Sequence, residues 1–257
     1  MDPVLLEPCE LLPWDSKFFG ITIARVRADT LTPGSRAAIE RWCLAREVRC
    51  LYFIARPDDS QTVKLAETDG YHLADVRMTF ALDMAAASAP MATDRRGPSR
   101  HVRRATEADL PALRRIARLS HTDTRFFYDD RFPRPLCESL YEVWIQSSYE
   151  GFAQGILVAE DGGELAGFVT CHLAKNGEDG SIGLIAVDAD RQGKGIGRAL
   201  VDGARDWLAE RKIQRVSVVT QGRNVAGQRL YARCGFLPRK LELYYHRWFP
   251  EVGTGAH

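Results

Sequence analysis

The feature that most constrains this chain is a glycine-rich turn between a strand pattern and a helix pattern. The apolar run SIGLIAVD ends at Asp188, and glycines then alternate at Gly193, Gly195 and Gly197. Apolar residues at helical spacing follow directly from Ile196. This order brings exposed backbone N–H groups and the positive end of a helix dipole to one point. The segment therefore predicts an anion site that suits a pyrophosphate.

The spacing of this turn argues against two common nucleotide loops. A P-loop requires GxxxxGK followed by Ser or Thr, whereas Lys194 precedes Gly195 and Gly197 and no Ser or Thr follows. The turn is also not a GxGxxG sequence at the first strand of a βαβ unit. ATP and NAD are therefore poor candidates, although Arg191, Lys194 and Arg198 add positive charge to the site.

A break in composition divides the rest of the chain. Residues 85–100, AAASAPMATDRRGPSR, lack apolar periodicity and turn basic, which predicts a linker. We expect a small α/β domain over 1–84, a larger one over 101–249 and a tail over 250–257. The fold class is α/β (α+β), with a mixed, mostly antiparallel central sheet flanked by helices in the larger domain.

Hydrophobic periodicity places the elements of both domains. Helices are predicted over 33–48, 61–70, 110–120, 136–149, 196–211 and 224–234. Strands are predicted over 4–12, 21–27, 50–55, 71–82, 101–105, 155–160, 164–173, 181–188, 215–220 and 240–249. The same helix–glycine–strand spacing occurs around Gly70 and Gly235, which fits either a truncated copy of the second domain or two ordinary connections.

Composition excludes several classes of function. Lys and Arg total 35 against 34 Asp and Glu, so no net field favours nucleic acid or an anionic membrane. The six cysteines form no CxxC pair and have no His at metal-ligand spacing, which predicts reduced, mostly buried thiols and no metal. No segment resembles a secretory signal or a membrane span of about 20 apolar residues. We expect a cytoplasmic protein that acts on a small-molecule amine or a local peptide.

Two motifs together resemble the GCN5-related N-acetyltransferases, the GNAT family. Gln192–Gly197 matches the family's Q/R-x-x-G-x-G/A loop, and Asn224 with Leu230–Phe236 matches its late N-x-x-A-x-x-L-Y-x-x-x-G-F motif. The resemblance covers 103–249 and implies a GNAT fold, acetyl-CoA as co-substrate and transfer to an amine. One departure is that the family's two alanines appear here as Ala226-Gly227, with the first one place earlier.

The resemblance also implies the site residues. An amine that attacks a thioester needs the carbonyl oxygen stabilised and the departing thiolate protonated. Tyr231 is the implied general acid; it lies seven residues after Asn224 and so about 10 Å further along the same helix face. The residues implied to bind the cofactor, by backbone or side chain, are Leu184, Ile185, Ala186, Val187, Arg191, Gln192, Gly193, Lys194, Gly195, Ile196, Gly197 and Asn224.

No residue identifies itself as the base that deprotonates the amine. His172, Glu178 and Asp188 lie on or near the central strands and are candidates, with a chain of water molecules as the alternative. No cysteine falls at the acetyl position, so we expect direct transfer in a ternary complex.

The N-terminal segment LPWDSKFFGI resembles the start of the dTDP-fucosamine acetyltransferases. That resemblance runs the whole chain and implies a truncated GNAT-like first domain and a dTDP-4-amino-4,6-dideoxy sugar as acceptor. It places Phe127, Tyr128, Asp130 and Arg131 near the sugar nucleotide. The alternatives are a protein N-terminal or lysine acetyltransferase, another small-molecule amine, or a CoA-binding scaffold without turnover. A homodimer through an exposed C-terminal edge strand is a further expectation.

Overall fold

The computed structural model describes residues 7–85 and 101–250. Apart from Ala85, the predicted linker lies outside the described residues, as does the predicted tail beyond Pro250. Two compact units divide the chain: the first comprises Met1–Arg77, Tyr128–Leu136 and Leu241–His257, and the second comprises Met78–Phe127 and Cys137–Lys240. Each unit combines strands with helices.

The strands are β1 Cys9–Leu11, β2 Ile23–Val26, β3 Cys50–Ala55, β4 His72–Asp83, β5 Val102–Arg104, β6 Gly155–Asp161, β7 Glu164–Leu173, β8 Asp179–Val187, β9 Arg215–Gln221 and β10 Leu237–Trp248. The helices are α1 Pro13–Phe19, α2 Pro33–Leu44, α3 Ser60–Thr68, α4 Leu110–Ser120, α5 Arg134–Ser147, α6 Ile196–Ala209 and α7 Val225–Arg233. A π-helical turn, Ser148–Phe152, follows α5.

The strand order in the first unit is β1-β2-β3-β10-β4, and in the second it is β4-β9-β8-β7-β6-β5. Strands β5 to β8 pair antiparallel, whereas β8 and β9 pair parallel. The mostly antiparallel α/β architecture predicted from the sequence is therefore confirmed. The prediction that the last strand has a free edge is wrong, because β10 lies between β3 and β4 and pairs with β3 along Leu243–Trp248.

Helix α6 forms one side of the core of the second unit. The apolar residues that recur at helical spacing from Ile196, namely Leu200, Ala204 and Leu208, are buried with it in the core, which confirms the predicted periodicity. A separate cluster that includes Trp42 and other apolar side chains fills the first unit.

All six cysteines are buried and free, as predicted. No helix in the ranges 7–85 and 101–250 is long and apolar enough to span a bilayer.

Local sequence explains where several elements begin and end. Helix α1 starts with Pro13 and ends at Gly20, whose φ of 69° suits a left-handed cap. A capping box forms at Thr106, whose N–H donates to Asp109 Oδ2 at 2.7 Å. Gly70 and Gly235 both take positive φ, 74° and 88°, between a helix and a strand. The repeated spacing thus reflects the same turn geometry.

Candidate active site

A cleft of about 610 Å³ opens in the second unit, bounded by the end of β8, the glycine-rich turn, the start of α6 and one face of α7. The sequence-predicted residues that line it are Ile185, Ala186, Val187, Arg191, Gln192, Gly193, Gly195, Ile196, Gly197, Asn224 and Tyr231. Leu184, Lys194 and the four residues proposed for the sugar nucleotide are not among its lining residues. The structure therefore brings most of the implied cofactor residues together.

The glycine-rich turn has the geometry of an anion site. Gly193 and Gly195 adopt φ of 75° and 80°, a left-handed backbone conformation that residues other than glycine rarely adopt. Gly195 is the N-cap of α6 and supplies no side chain to cap it, so the N–H groups of the first turn have no side-chain acceptor there. These donors and the helix dipole face the cleft together, which suits a pyrophosphate.

The basic residues of the turn are neutralised by neighbouring carboxylates. Arg191 pairs with Glu164 and Asp161, and Lys194 Nζ lies 3.6 Å from Asp161 Oδ2. Arg198 Nε likewise lies 3.5 Å from Asp202 Oδ2, one helical turn away. The positive charge expected here from the sequence is thus largely offset.

Two arginines that the sequence analysis did not select lie on the opposite wall. Arg229 and Arg233 are exposed, line the cleft from α7, and form no ion pair with the residues that the structure describes. Their spacing of four residues, one helical turn on α7 beside the late motif, is the sequence signal that would have identified them.

Strand β8 separates from β9 at the cleft. The parallel pairing ends at Ile182 and Val218, and the register assigns no β9 partner to the following β8 residues. Asp188 N–H donates to Ala166 O at 2.9 Å, so alternation along the antiparallel pair directs the N–H and C=O groups of Ile185 and Val187 away from β7. These backbone groups face the opening between the strands.

Tyr231 is only 3% exposed but contributes to the cleft wall. Its ring packs near Phe80 and Phe236, with centroids 6.0 and 6.1 Å away. Its hydroxyl makes no hydrogen bond to another residue in the described part of the chain. Burial raises the pKa of Tyr231, so the phenol keeps its proton and can donate it.

Asn224 caps α7, as the sequence predicts. Its Oδ1 accepts from Gly227 N–H at 2.9 Å and its Nδ2 donates to Thr220 Oγ1 at 3.0 Å. A Cβ on Gly227 would lie 2.7 Å from Asn224 Nδ2. A side chain at position 227 would therefore displace the Asn224 amide.

The three candidate bases have different environments. Asp188 accepts from Arg115 Nη2 at 2.7 Å, and this partner lowers its pKa. Glu178 lies 3.4 Å from Arg215. His172 is half-buried, burial lowers its pKa, and its Nε2 lies 3.2 Å from Thr170 Oγ1.

A second histidine near β8 was not selected from the sequence. His121 follows α4, stacks on Tyr141 with ring centroids 4.6 Å apart, and its Nδ1 lies 3.1 Å from Ala117 O. Burial lowers its pKa, so it stays neutral. A lone histidine after a helix gives no pattern that sequence analysis can distinguish from an ordinary C-cap.

The segment Phe127–Phe132 (the aromatic loop) contributes Tyr128 to Phe132 to the first unit. Its buried acidic residue is Asp129, whose Oδ2 lies 2.7 Å from His246 Nδ1 and accepts from Trp248 Nε1 at 2.8 Å. Asp130 is exposed.

The aromatic and basic residues of the aromatic loop are likewise divided into buried and exposed ones. Phe132 is buried and packs against Trp248 with ring centroids 5.0 Å apart. Tyr128 is 52% exposed, and the Arg131 guanidinium lies 5.7 Å from the Trp248 ring centroid. Asp129 and Phe132 therefore fix the loop in its own unit, while Tyr128, Asp130 and Arg131 remain open to solvent.

No group of three or more His, Cys, Asp or Glu side chains that could hold a metal ion occurs within 7–85 and 101–250.

Comparisons with known proteins add to this geometry. Residues 114–236 match the family model described as acetyltransferase (GNAT) family. The dTDP-fucosamine acetyltransferase of Escherichia coli O6:H1 is 28% identical over 236 residues, which cover 88% of this chain and 92% of that protein. The spore coat polysaccharide biosynthesis protein SpsD of Bacillus subtilis is 31% identical over 140 residues, 54% of this chain, and the chain spans only 48% of that relative.

A solved structure shows the same fold. The GCN5-related N-acetyltransferase from Sphaerobacter thermophilus superposes with a TM-score of 0.64 at 15% sequence identity, over 95% of this chain and 77% of that one. The fold implied by the glycine-rich turn and the late motif is thus confirmed.

Proposed function

We propose that this chain, an N-acetyltransferase with a GNAT family domain at residues 114–236, transfers the acetyl group of acetyl-CoA to the amine of a nucleotide-linked amino sugar. The observation that carries the proposal is the cleft, where the uncapped start of α6, the part of β8 beyond its pairing with β9 and the phenol of Tyr231 line one groove. GNAT acetyltransferases use acetyl-CoA as co-substrate, and a cleft with these three donors fits an anionic, extended thioester.

Each wall of the cleft has a distinct part in binding. The backbone N–H groups after Gly195 would hold the pyrophosphate, and Arg229 and Arg233 would add charge for the anionic end of CoA. The backbone of Ile185 and Val187 would pair with the pantetheine amides in place of the absent β9 neighbour. Because the donors are main-chain groups on rigid elements, their positions do not depend on side-chain rotamers.

The chemical step needs a hydrogen bond to the carbonyl oxygen and a proton for the sulfur. As a neutral amine attacks the thioester carbon, negative charge grows on the carbonyl oxygen, and Ile185 N–H is placed to stabilise it. The C–S bond breaks as the new C–N bond forms, and Tyr231 gives its proton to the departing thiolate. Water takes the proton that the amine loses.

The acceptor proposal rests on similarity along nearly the whole chain. The relative that covers 88% of this chain is named a dTDP-fucosamine acetyltransferase, and SpsD is named for polysaccharide biosynthesis. We therefore place the acceptor among dTDP-4-amino-4,6-dideoxy sugars, with attack by the 4-amino group. The exposed Tyr128 and Arg131 offer an aromatic face and a guanidinium to a base and a diphosphate.

Thiol release from acetyl-CoA tests the proposal directly. The panel contains dTDP-4-amino-4,6-dideoxyhexoses, UDP-linked amino sugars, aminoglycosides and short peptides. Saturable release with the dTDP amino sugars alone supports the proposed acceptor. Release only with peptides points to a protein acetyltransferase, and no release with any amine, despite acetyl-CoA binding by calorimetry, contradicts the acceptor while leaving the cleft as a CoA site.

Substitution of Tyr231 by Phe tests the general acid. The variant should lower kcat by roughly 10²-fold while acetyl-CoA affinity changes less than about threefold, because the ring and its packing remain. Phe80→Leu, which alters the packing next to the ring but leaves the hydroxyl, is the matched control. Unchanged turnover in Tyr231→Phe would remove this residue from the acid role.

A further inference from the structure

Strand β8 contains a bulge at the point where it leaves β9. Val169 pairs with Ile185 and Cys171 pairs with Ile182, so Gly183 and Leu184 together face the single residue Thr170. A bulge re-aims the residues that follow it, and here those are the residues that line the cleft. The contacts that hold the bulge in place therefore determine the direction of the Ile185 backbone N–H.

A hydrogen-bonded chain of side chains occupies the bulge. Leu184 N–H donates to Thr170 Oγ1 at 2.7 Å, and the Thr170 hydroxyl lies 3.2 Å from His172 Nε2. The His172 ring is half-buried and lies beside Phe152. Thr170 is fully buried at 0% exposure, so both of its partners are needed to satisfy its hydroxyl.

The direction of each hydrogen bond follows from the chemistry of the groups. Thr170 Oγ1 accepts from Leu184 N–H and can therefore give its own proton to His172 Nε2. The neutral imidazole must then carry its proton on Nδ1. With a neutral imidazole, Leu184 N–H, the Thr170 hydroxyl and His172 Nε2 can all form hydrogen bonds. The Phe152 ring, with its centroid 5.4 Å from that of His172, shields the imidazole from solvent.

Gly183 in the bulge leaves the space that the hydrogen-bonded Thr170 and His172 side chains occupy. A Cβ on Gly183 would lie 2.3 Å from His172 Nε2 and 2.8 Å from Thr170 Oγ1, so only glycine allows the imidazole and the hydroxyl to meet there. The engaged Leu184 N–H is also excluded as a donor to a ligand. Of the backbone donors at the start of the cleft, Ile185 N–H remains.

We infer that Thr170 and His172 are positioning residues which fix the β8 bulge and thereby aim Ile185 N–H at the acetyl carbonyl oxygen. The inference rests on the proposed acetyl-CoA site and deepens it, since it names the side chains that hold the proposed donor to the carbonyl oxygen in place. Neither side chain touches the reacting atoms. Their effect on turnover passes through the backbone of β8.

The test compares Thr170→Val with Thr170→Ser and with Thr62→Val. Val keeps the shape of Thr170 but removes the acceptor of Leu184 N–H, whereas Ser restores it. Thr62 is the matched control, because it is 1% exposed, its Oγ1 accepts from Leu31 N–H at 2.9 Å, and it does not line the cleft.

We expect Thr170→Val to lower kcat about 10- to 100-fold with KM for acetyl-CoA changed less than about threefold, because a displaced donor weakens only the stabilisation of the developing charge. Thr170→Ser should return kcat to within about threefold of the parent protein, and Thr62→Val should leave it unchanged. Gly183→Ala, which displaces the imidazole, should resemble Thr170→Val. A Thr170→Val protein with parental kcat, or a Thr170→Ser protein as slow as the valine variant, overturns the inference.

An NMR measurement separates this inference from the proposed acceptor. In protein labelled with ¹⁵N-isoleucine, acetyl-CoA should shift the Ile185 amide proton downfield relative to CoA without the acetyl group, and Thr170→Val should abolish the difference. If no amine in the panel accepts an acetyl group but this shift is present and is lost in the variant, the acceptor is wrong and the inference stands. If the parent protein transfers acetyl groups and the Ile185 amide shows no acetyl-dependent shift, the inference fails and the proposed function survives.

Discussion

The glycine-rich turn and the aromatic loop make an instructive pair, because both have the composition of a phosphate-binding segment. The turn leaves its backbone donors open to a cleft, since Gly195 begins α6 without a side-chain cap. The aromatic loop uses Asp129 to accept from Trp248 and to bond His246, and buries Phe132. A segment is available to a ligand only to the extent that its polar groups are not already satisfied by the protein.

The largest expected effect separates the two acidic residues of the aromatic loop. Asp129→Ala removes an acceptor shared by the buried His246 and the half-buried Trp248 and should lower the free energy of unfolding by about 3 kcal/mol. Asp130→Ala, at an exposed position, should change it by less than about 0.5 kcal/mol. Urea denaturation measures both. Equal stability of the two variants would show that Asp129 is not the structural anchor of the loop.

The next effect concerns the open donors of the turn. Gly195→Val forces a β-branched side chain into a φ of 80° and should weaken acetyl-CoA binding at least about tenfold as the turn moves to relieve the strain. Gly177→Val places the same strain at a φ of 71° in a turn that does not line the cleft. Calorimetry should show lost affinity only for Gly195→Val, and equal affinities would contradict the anion site.

A smaller effect distinguishes the two sets of arginines. Arg229→Gln should weaken acetyl-CoA binding about threefold and reduce its salt dependence, because this side chain has no carboxylate partner among the described residues. Arg191→Gln should have less effect, since Asp161 and Glu164 already neutralise that guanidinium. Affinity measured between low and high salt checks both, and the reverse ranking would mean that the ligand lies nearer to β6 and β7.

The smallest effect is a pH dependence of stability. Burial opposes ionisation of Asp129, but hydrogen bonds from His246 and Trp248 outweigh it and hold its pKa below the ordinary value. Its contribution is therefore present above the unfolded-state pKa of about 3.9 and is lost as pH falls through the lower folded-state value. Thermal midpoints between pH 5 and pH 2 should fall less for Asp129→Asn than for the parent protein, with Asp130→Asn as the control.

The sequence predicted the parts of the site that depend on backbone conformation and local spacing. Glycines at Gly193 and Gly195 require positive φ, and the capping position of Asn224 sets the face of Tyr231; both are readable from neighbours in the chain. Charge compensation was not readable, because Asp161 and Glu164 lie about thirty residues before Arg191. The bulge at Gly183 was missed for the same reason, since Thr170 reaches it from another strand.

The first unit is completed by the last strand of the chain, and this order matters during synthesis. Strand β3 emerges early, yet its neighbour along Leu243–Trp248 is made almost two hundred residues later. A ribosome-bound chain therefore exposes β3, with its buried Leu51, Tyr52 and Phe53, throughout translation of the second unit. Nascent chains should engage hold-type chaperones over this interval, and truncation before β10 should leave the N-terminal segment prone to aggregation.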